Sequence, residues 1–196
     1  MTIFFIVFIL HWYLSLFSQT FFLHRYAAHS MFRMNAFWEK FFYFFTWITQ
    51  GSSYLSPYAY GILHRLHHAF TDTENDPHSP SYTKGLFPLM WKTKQIYGDI
   101  NSDKFPVDDK FMKNLPMWRS FDRFVSSFGI RIAWGVIYFL FYLAFATQWW
   151  MWLLFPITCL MGPVHGAIIN YFAHKYGYRN FEMEKKKKNF LPVDVL

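Results

Sequence analysis

Four long apolar blocks alternate with polar segments along the chain. They cover residues 2–23, 36–56, 128–146 and 149–170. Each block is close to the ~20 residues that a helix needs to cross a ~30 Å hydrocarbon core. The pattern predicts an all-α integral membrane protein with about three transmembrane helices.

The second block, residues 36–56, differs from the other three because it carries charged and amide residues. Glu39 and Lys40 lie near its start, and Gln50 lies near its end. If this block crossed the membrane, the histidine-containing segments before and after it would be ~30 Å apart. We therefore interpret it as a re-entrant or interfacial helix that returns to its starting side.

Basic residues set the orientation of these blocks. All 19 lysines and arginines occur at or after Arg25, and none lies at the turn around Thr147, where three tryptophans form an interfacial anchor. By the positive-inside rule, the segment 24–130 and the tail are cytoplasmic. The polar, proline-containing segment 59–128 predicts a cytosolic helical cap that carries histidine boxes. We therefore expect an integral, multi-pass membrane protein whose histidine boxes lie on the cytoplasmic face.

Composition narrows the class of protein further. With 54% apolar and 24% aromatic residues, the chain is not disordered. Its length of 196 residues predicts a single domain over 1–196, without space for a flavin or nicotinamide module. The single cysteine, Cys159, excludes a disulfide framework and a cysteine-ligated iron–sulfur cluster. The net charge of +7 suits membrane lipid headgroups at the cytosolic face, and nucleic acid is not an expected partner.

The histidines are clustered in three motifs, HRYAAH, HRLHH and NYFAH. The clustered residues are His24, His29, His64, His67, His68 and His174. Positions 64, 67 and 68 share one side of a helix, as do Asn170 and His174. Imidazole is the commonest metal ligand and suits iron, copper and zinc. The clusters therefore predict a two-metal site bound chiefly by imidazoles.

Two features refine this prediction. His24 and His29 would be about 140° apart on an ideal helix, so their spacing predicts a distorted turn or two histidines that address different metal ions. Glutamate is limited to positions 39, 74, 182 and 184, which excludes a carboxylate-rich di-iron bundle. Asp72, Glu74 and Asp76 are candidate acceptors for the outer ring nitrogens, although solvated loop charge is the favoured interpretation.

Three further histidines, His11, His78 and His165, lie outside the three motifs. His11 is expected to pair with a neighbouring helix. His165 is nine residues before His174, which is about 180° round the helix. We therefore expect His165 to point away from the metal-binding side and to form buried hydrogen bonds.

At the three motifs the sequence resembles the membrane-bound fatty acid desaturases, specifically the stearoyl-type Δ9 acyl-CoA/acyl-lipid branch. The resemblance runs through HRYAAH, HRLHHAFTDTENDPHSP and NYFAHKYGYRNF. It implies two non-haem iron ions, with O2 as co-substrate and no catalytic residue beyond the metal ligands. The implied ligands are His24, His29, His64, His67, His68 and His174, with Asn170 contacting one iron through water.

The resemblance also implies a reaction and its partners. The reaction is O2-dependent removal of two hydrogens from a long saturated acyl chain, which gives a cis double bond at the Δ9 position in fatty acid biosynthesis. The substrate is a fatty acyl-CoA or acyl-lipid. Electrons come from a separate ferredoxin or a b-type cytochrome with its reductase, because the chain contains no nucleotide-binding motif.

One motif of the family is not in the printed sequence. The last box, HNxHH, would supply three further ligands after a segment like NFLPVDVL, inside which the sequence ends at Leu196. The expectation is a form truncated at its C-terminus, with six of nine histidine ligands.

Three alternative functions stay open at this point. The nearest is a fatty acid or alkane hydroxylase of the same di-iron superfamily, and another is a non-catalytic truncated remnant. A membrane haem electron carrier is a different class, although clustered HxxHH argues against it because bis-histidine haem sites pair histidines from opposite helices.

Overall fold

A computed structural model describes residues 1–71, 73–77, 79 and 85–172, with side chains to residue 169. Every regular element in these residues is helical. The α-helices are α1 Thr2–Phe17, α2 Ala36–Gln50, α3 Pro57–Phe70, α4 Leu86–Asn101, α5 Asp109–Met112, α6 Arg119–Val125, α7 Phe128–Phe145, α8 Phe155–Cys159 and α9 Met161–Gly166. The π-helical segments Ser18–Ala28 and Ala167–Phe172 continue α1 and α9, and the 3-10 turns are Gly51–Ser53 and Trp149–Leu154.

Two helical stretches are long and apolar enough to cross a membrane. They are Thr2–Ala28 and Phe128–Phe145, and a third is present if the broken pair Trp149–Cys159 and Met161–Ile169 counts as one span. The prediction of an all-α membrane protein with about three spans is confirmed.

The fourth apolar block is not the continuous helix that its hydropathy predicts. Pro163 has no N–H to donate to the carbonyl of Cys159, and that carbonyl instead accepts a hydrogen bond from the Ser52 hydroxyl at 2.7 Å. The backbone accordingly breaks at Leu160, between α8 and α9. Apolar composition alone does not reveal this interruption.

The chain forms two compact units. The first contains Met1–Gly61 and Lys113–Gly162, and the second contains Ile62–Met112 and the described residues from Pro163 onward. Helix α3 begins in the first unit and ends in the second. The single domain expected from length stays a prediction.

The core of the first unit joins the π-helical segment after α1 to α2 and α6. Phe22, Leu23, Tyr43 and Tyr54 are fully buried there, and Phe121 packs against them. A second cluster, built on Phe4, Tyr142 and Met151, joins the start of α1 to α7 and the tryptophan-rich turn. Burial of these aromatic side chains fixes α1 against its neighbours.

Helix α2 has the features of an interfacial helix. Its 15 residues span about 22 Å, which is short of a ~30 Å hydrocarbon core. One side is buried through Tyr43, Thr46 and Gln50. The other side exposes large apolar side chains, namely Phe37, Trp38, Phe41, Phe44 and Ile48. This arrangement supports the interpretation that the second block lies along the membrane surface.

The chain changes direction at the 3-10 turn Gly51–Ser53 immediately after α2, and Arg131 of α7 holds this turn, called the reversal below. Its guanidinium donates to the carbonyls of Ser52 at 2.7 Å, Tyr54 at 3.0 Å and Ser126 at 3.2 Å. Gly51 begins the reversal with φ of 53°, and a Cβ there would collide with the Tyr138 hydroxyl. Glycine is therefore required at this position by both its backbone angle and the space available.

A buried carboxylate fixes the entry into α3. Asp122 of α6 accepts hydrogen bonds from the hydroxyls of Tyr54 at 2.7 Å and Ser56 at 2.8 Å. Burial raises the pKa of Asp122, while these two hydrogen bonds and the charge of Arg119 oppose the shift. Tyr54 and Ser56, at the end of the reversal, are thus hydrogen-bonded to α6, and Ser52, near its beginning, is hydrogen-bonded to α7.

We expect Arg131→Gln to destabilise the first unit by about 3 kcal/mol, because buried carbonyls lose a charged donor. Thermal unfolding in detergent, followed by near-ultraviolet circular dichroism, measures the effect. Arg33→Gln is the matched control, since Arg33 is exposed. Equal melting temperatures for the two variants would contradict the role assigned to Arg131.

Candidate metal centre

The two histidines of the first motif are neighbours because the helix that carries them is π-helical. The His29 N–H donates to the His24 carbonyl at 3.0 Å, an i to i+5 hydrogen bond. Their ring centroids are 4.6 Å apart. An ideal α-helix would separate the two side chains by about 140°. Of the two alternatives that the spacing left open, the distorted turn is confirmed.

Hydroxyl side chains mark the place where the α-helix changes to the π-helical form. Ser18 donates to the Leu14 carbonyl and Thr20 to the Leu16 carbonyl, both at 3.0 Å. Such bonds compete with the backbone N–H groups for carbonyls four residues back and bend helices. The Ser18 hydroxyl is also 2.6 Å from the Thr49 hydroxyl, and this hydrogen bond joins the π-helical segment to α2.

A tyrosine–carboxylate hydrogen bond positions the first motif against the start of α2. The Tyr26 hydroxyl, between His24 and His29 in sequence, donates to the Glu39 carboxylate. The Tyr26 ring also stacks on Phe22, with centroids 5.4 Å apart. The charged residue that made the second apolar block unusual therefore orients the histidine segment.

The second motif, in the second unit, places three imidazoles on one side of α3. The Nε2 atoms of His64 and His68 are 2.9 Å apart. The His67 ring centroid is 5.7 Å from that of His68 and 6.3 Å from that of His64. The i, i+3, i+4 spacing predicted this common side, and the prediction is confirmed.

One carboxylate fixes the ring of His67. Its Nδ1 is 2.9 Å and 3.0 Å from the two carboxylate oxygens of Asp76, and both side chains are buried. An ionised carboxylate only accepts hydrogen bonds, so Nδ1 is the donor in this pair, and in the neutral imidazole Nε2 is then the nitrogen with the lone pair. A histidine in this tautomer is ready to bind a metal through Nε2.

The expectation of solvated charge after HRLHH is wrong for Asp76. This residue is fully buried, whereas Glu74 is exposed as expected and Asp72 lies outside the described residues. Helix α4 holds the loop: Thr93 donates to the Pro77 carbonyl at 3.1 Å and Lys92 to the Asp76 carbonyl at 3.4 Å. The only sequence signal was the proximity of an acidic run to the histidine motif.

The remaining histidines divide into described and undescribed positions. His11 meets Tyr138 of α7, with its Nε2 3.4 Å from the hydroxyl, which confirms the predicted pairing with a neighbouring helix. His165 is 2% exposed, and the buried hydrogen bonding expected of it stays a prediction. His174 and the side chain of Asn170 lie outside the described residues, so their assignment as ligand and water-mediated contact also stays a prediction.

In the described residues, the fold and the site define an all-helical membrane protein in which five imidazoles are grouped on two helical segments. The family model described as fatty acid desaturase matches residues 1–192. The chain therefore belongs to the fatty acid desaturase family, and the family predicted from the motifs is confirmed.

A plant relative agrees with this assignment over a shorter stretch. The Delta-9 desaturase-like 5 protein of Arabidopsis thaliana is 41% identical over 64 residues, which cover 32% of this chain and 20% of the relative. The chain thus matches about a fifth of that relative's length. No solved structure matches the chain.

We expect Tyr26→Phe to lower the free energy of unfolding by roughly 2 kcal/mol, because the half-buried Glu39 carboxylate loses a donor. Tyr13→Phe removes a hydroxyl from an exposed tyrosine of α1 and is the control. Thermal denaturation in detergent compares the two. If Tyr26→Phe is as stable as Tyr13→Phe, the hydrogen bond to Glu39 does not hold the first motif in place.

Proposed function

We propose that this protein is an O2-dependent fatty acid desaturase that introduces a cis double bond at the Δ9 position of a long saturated acyl chain. Membership of the desaturase family and the printed name of the plant relative support the reaction and the position. The observation that carries the proposal is the buried His67–Asp76 pair beside His64 and His68. This arrangement is the one expected of a metal-binding imidazole supported by a carboxylate.

Two non-haem iron ions are the metals that we propose for this donor set. Neutral imidazoles suit iron, and the Asp76 carboxylate keeps His67 in the tautomer that binds through Nε2. The proposed ligands are His24, His29, His64, His67, His68 and His174, with Asn170 contacting one iron through water. When bound, the irons and O2 supply an oxidant for C–H bonds that no side-chain acid or base can break.

A close backbone approach within the first unit involves the segment that carries the first motif and the start of α3. A Cβ on Gly61 would lie 3.4 Å from the Ala27 carbonyl oxygen and 2.5 Å from a methyl carbon of Leu115. Glycine at position 61 thus allows the start of α3 to lie close to the Ala27 carbonyl, three residues after His24, within the first unit.

The proposed reaction balances with a separate electron donor. Removal of two hydrogens from the acyl chain, together with O2, two electrons and two protons, gives one double bond and two waters. The donor that we propose is a ferredoxin or a b-type cytochrome with its reductase, on the cytoplasmic face where the basic residues lie. The acyl chain, on CoA or in a lipid, gains ~0.8 kcal/mol per buried methylene, so the protein can hold it without a polar contact at the reacting carbons.

Expression in a host that lacks its own desaturase tests the reaction, with fatty acids analysed by gas chromatography and mass spectrometry. The expected product is a cis-Δ9 monounsaturated acid whose formation requires O2. A hydroxylated product would replace the proposal with a hydroxylase of the same superfamily. A purified protein that binds iron without any product would favour a non-catalytic remnant, and a Soret band would favour a haem carrier.

Asp76→Asn tests the metal site independently of turnover. We expect the affinity for iron to fall about 10- to 100-fold, because the amide no longer fixes the His67 tautomer. Metal titration in detergent with iron analysis measures this, and Glu74→Gln, an exposed carboxylate two residues away, is the matched control. Equal iron affinity in both variants, with both folded by circular dichroism, would contradict the role of Asp76.

A further inference from the structure

Helix α4, in the second unit, has one buried side and one unusually apolar exposed side. Leu89 and Ile100 are 2% and 1% exposed, whereas Phe87 is 86% and Trp91 59% exposed. Phe87, Trp91 and Lys94 are spaced i, i+4, i+7 and share one side of the helix. The Lys94 ammonium lies over the Trp91 ring, 4.6 Å from its centroid.

The exposed aromatics do not contribute to packing of the second unit. That packing uses other α4 residues: Leu89 and Ile100 are buried, and Lys92 and Thr93 hold the loop that carries Asp76. The largely exposed Phe87 beside the exposed Trp91 forms an apolar patch that is unfavourable in water. The patch therefore points to a partner outside the unit.

The chemistry of the patch fits a lipid surface better than a protein. Tryptophan and phenylalanine at the apolar side with lysine above them are the residues that anchor helices at a membrane interface. The charge of Lys94 suits lipid phosphate groups. An acidic protein partner would require more positive charge than one lysine, and Gln95 and Gly98, exposed beside it, are uncharged.

A bilayer is also always within reach of α4. The chain has at least two stretches able to cross a membrane, so α4 is covalently tethered to the membrane that they occupy. Because α4 is tethered, the effective concentration of lipid around it is high. A single helix with two aromatic anchors is then sufficient for stable contact with the bilayer.

We propose that α4 lies in the membrane interface, with Phe87 and Trp91 inserted at the boundary of headgroups and acyl chains and Lys94 at the lipid phosphates. The proposal does not depend on the desaturase reaction. It has a consequence for the histidine motif, because the same helix holds the Asp76 loop through Lys92 and Thr93. Contact with lipid would therefore hold in place the helix that supports His67.

Site-directed fluorescence in vesicles tests this proposal. A Cys159→Ser background removes the single natural cysteine, and Phe87→Cys introduces a site for an environment-sensitive fluorophore. Asp99→Cys is the matched control, because Asp99 is exposed on α4 but about 120° away from Phe87. Both labelled proteins are reconstituted in phosphatidylcholine with phosphatidylglycerol, and quenching by brominated lipid is compared with quenching by aqueous iodide.

The expected result is quenching by brominated lipid about twofold or more stronger at position 87 than at position 99, with the reverse order for iodide. Efficient iodide quenching at position 87 would overturn the proposal. Protection from both quenchers would also overturn it, and would indicate a protein partner. Trp91→Phe provides a second measurement that needs no label. The difference in tryptophan fluorescence between wild type and this variant is the emission of Trp91, and brominated lipid should quench it.

Discussion

The binding of three backbone carbonyls by the Arg131 guanidinium is the interaction on which the arrangement of the first unit depends. Helix α2 is too short to cross a membrane, and the chain leaves it through the turn Gly51–Ser53 before α3 begins. The turn exposes carbonyls at Ser52 and Tyr54 that no helix satisfies, and Arg131 supplies their donors. Unsatisfied backbone groups are costly in an apolar environment, so the reversal requires such a donor.

The same principle explains how polar groups are distributed through an otherwise apolar protein. Carbonyls left without backbone donors, as at Cys159, are bonded by side chains from the reversal. The buried carboxylate of Asp122 accepts hydrogen bonds from two hydroxyls, and that of Asp76 contacts the Nδ1 atom of His67. At these positions a polar side chain meets a backbone carbonyl, a hydroxyl or a histidine, and hydrogen bonds are strong where water is scarce.

Sequence reasoning succeeded where spacing along one helix determines geometry. The common side of His64, His67 and His68 follows from the helical period alone. The spacing of His24 and His29 left open a distorted turn or two histidines that address different metal ions, and the structure has the distorted turn as a π-helical segment. Sequence reasoning failed for the burial of Asp76, which depends on how α4 holds a loop. It also failed for the continuity of the fourth apolar block, which depends on the N–H that Pro163 lacks.

The sequence by itself determined the all-α membrane class, the three histidine motifs and the desaturase family, because hydropathy and short-range spacing are local properties. Only the tertiary structure decided that Glu39 bonds Tyr26, that Asp76 orients His67 and that α4 exposes Phe87. The first two join residues from different elements, and the third reflects which side of α4 is packed. Their contacts depend on packing and on which polar groups remain without backbone partners, and neither is encoded in the period of a single helix.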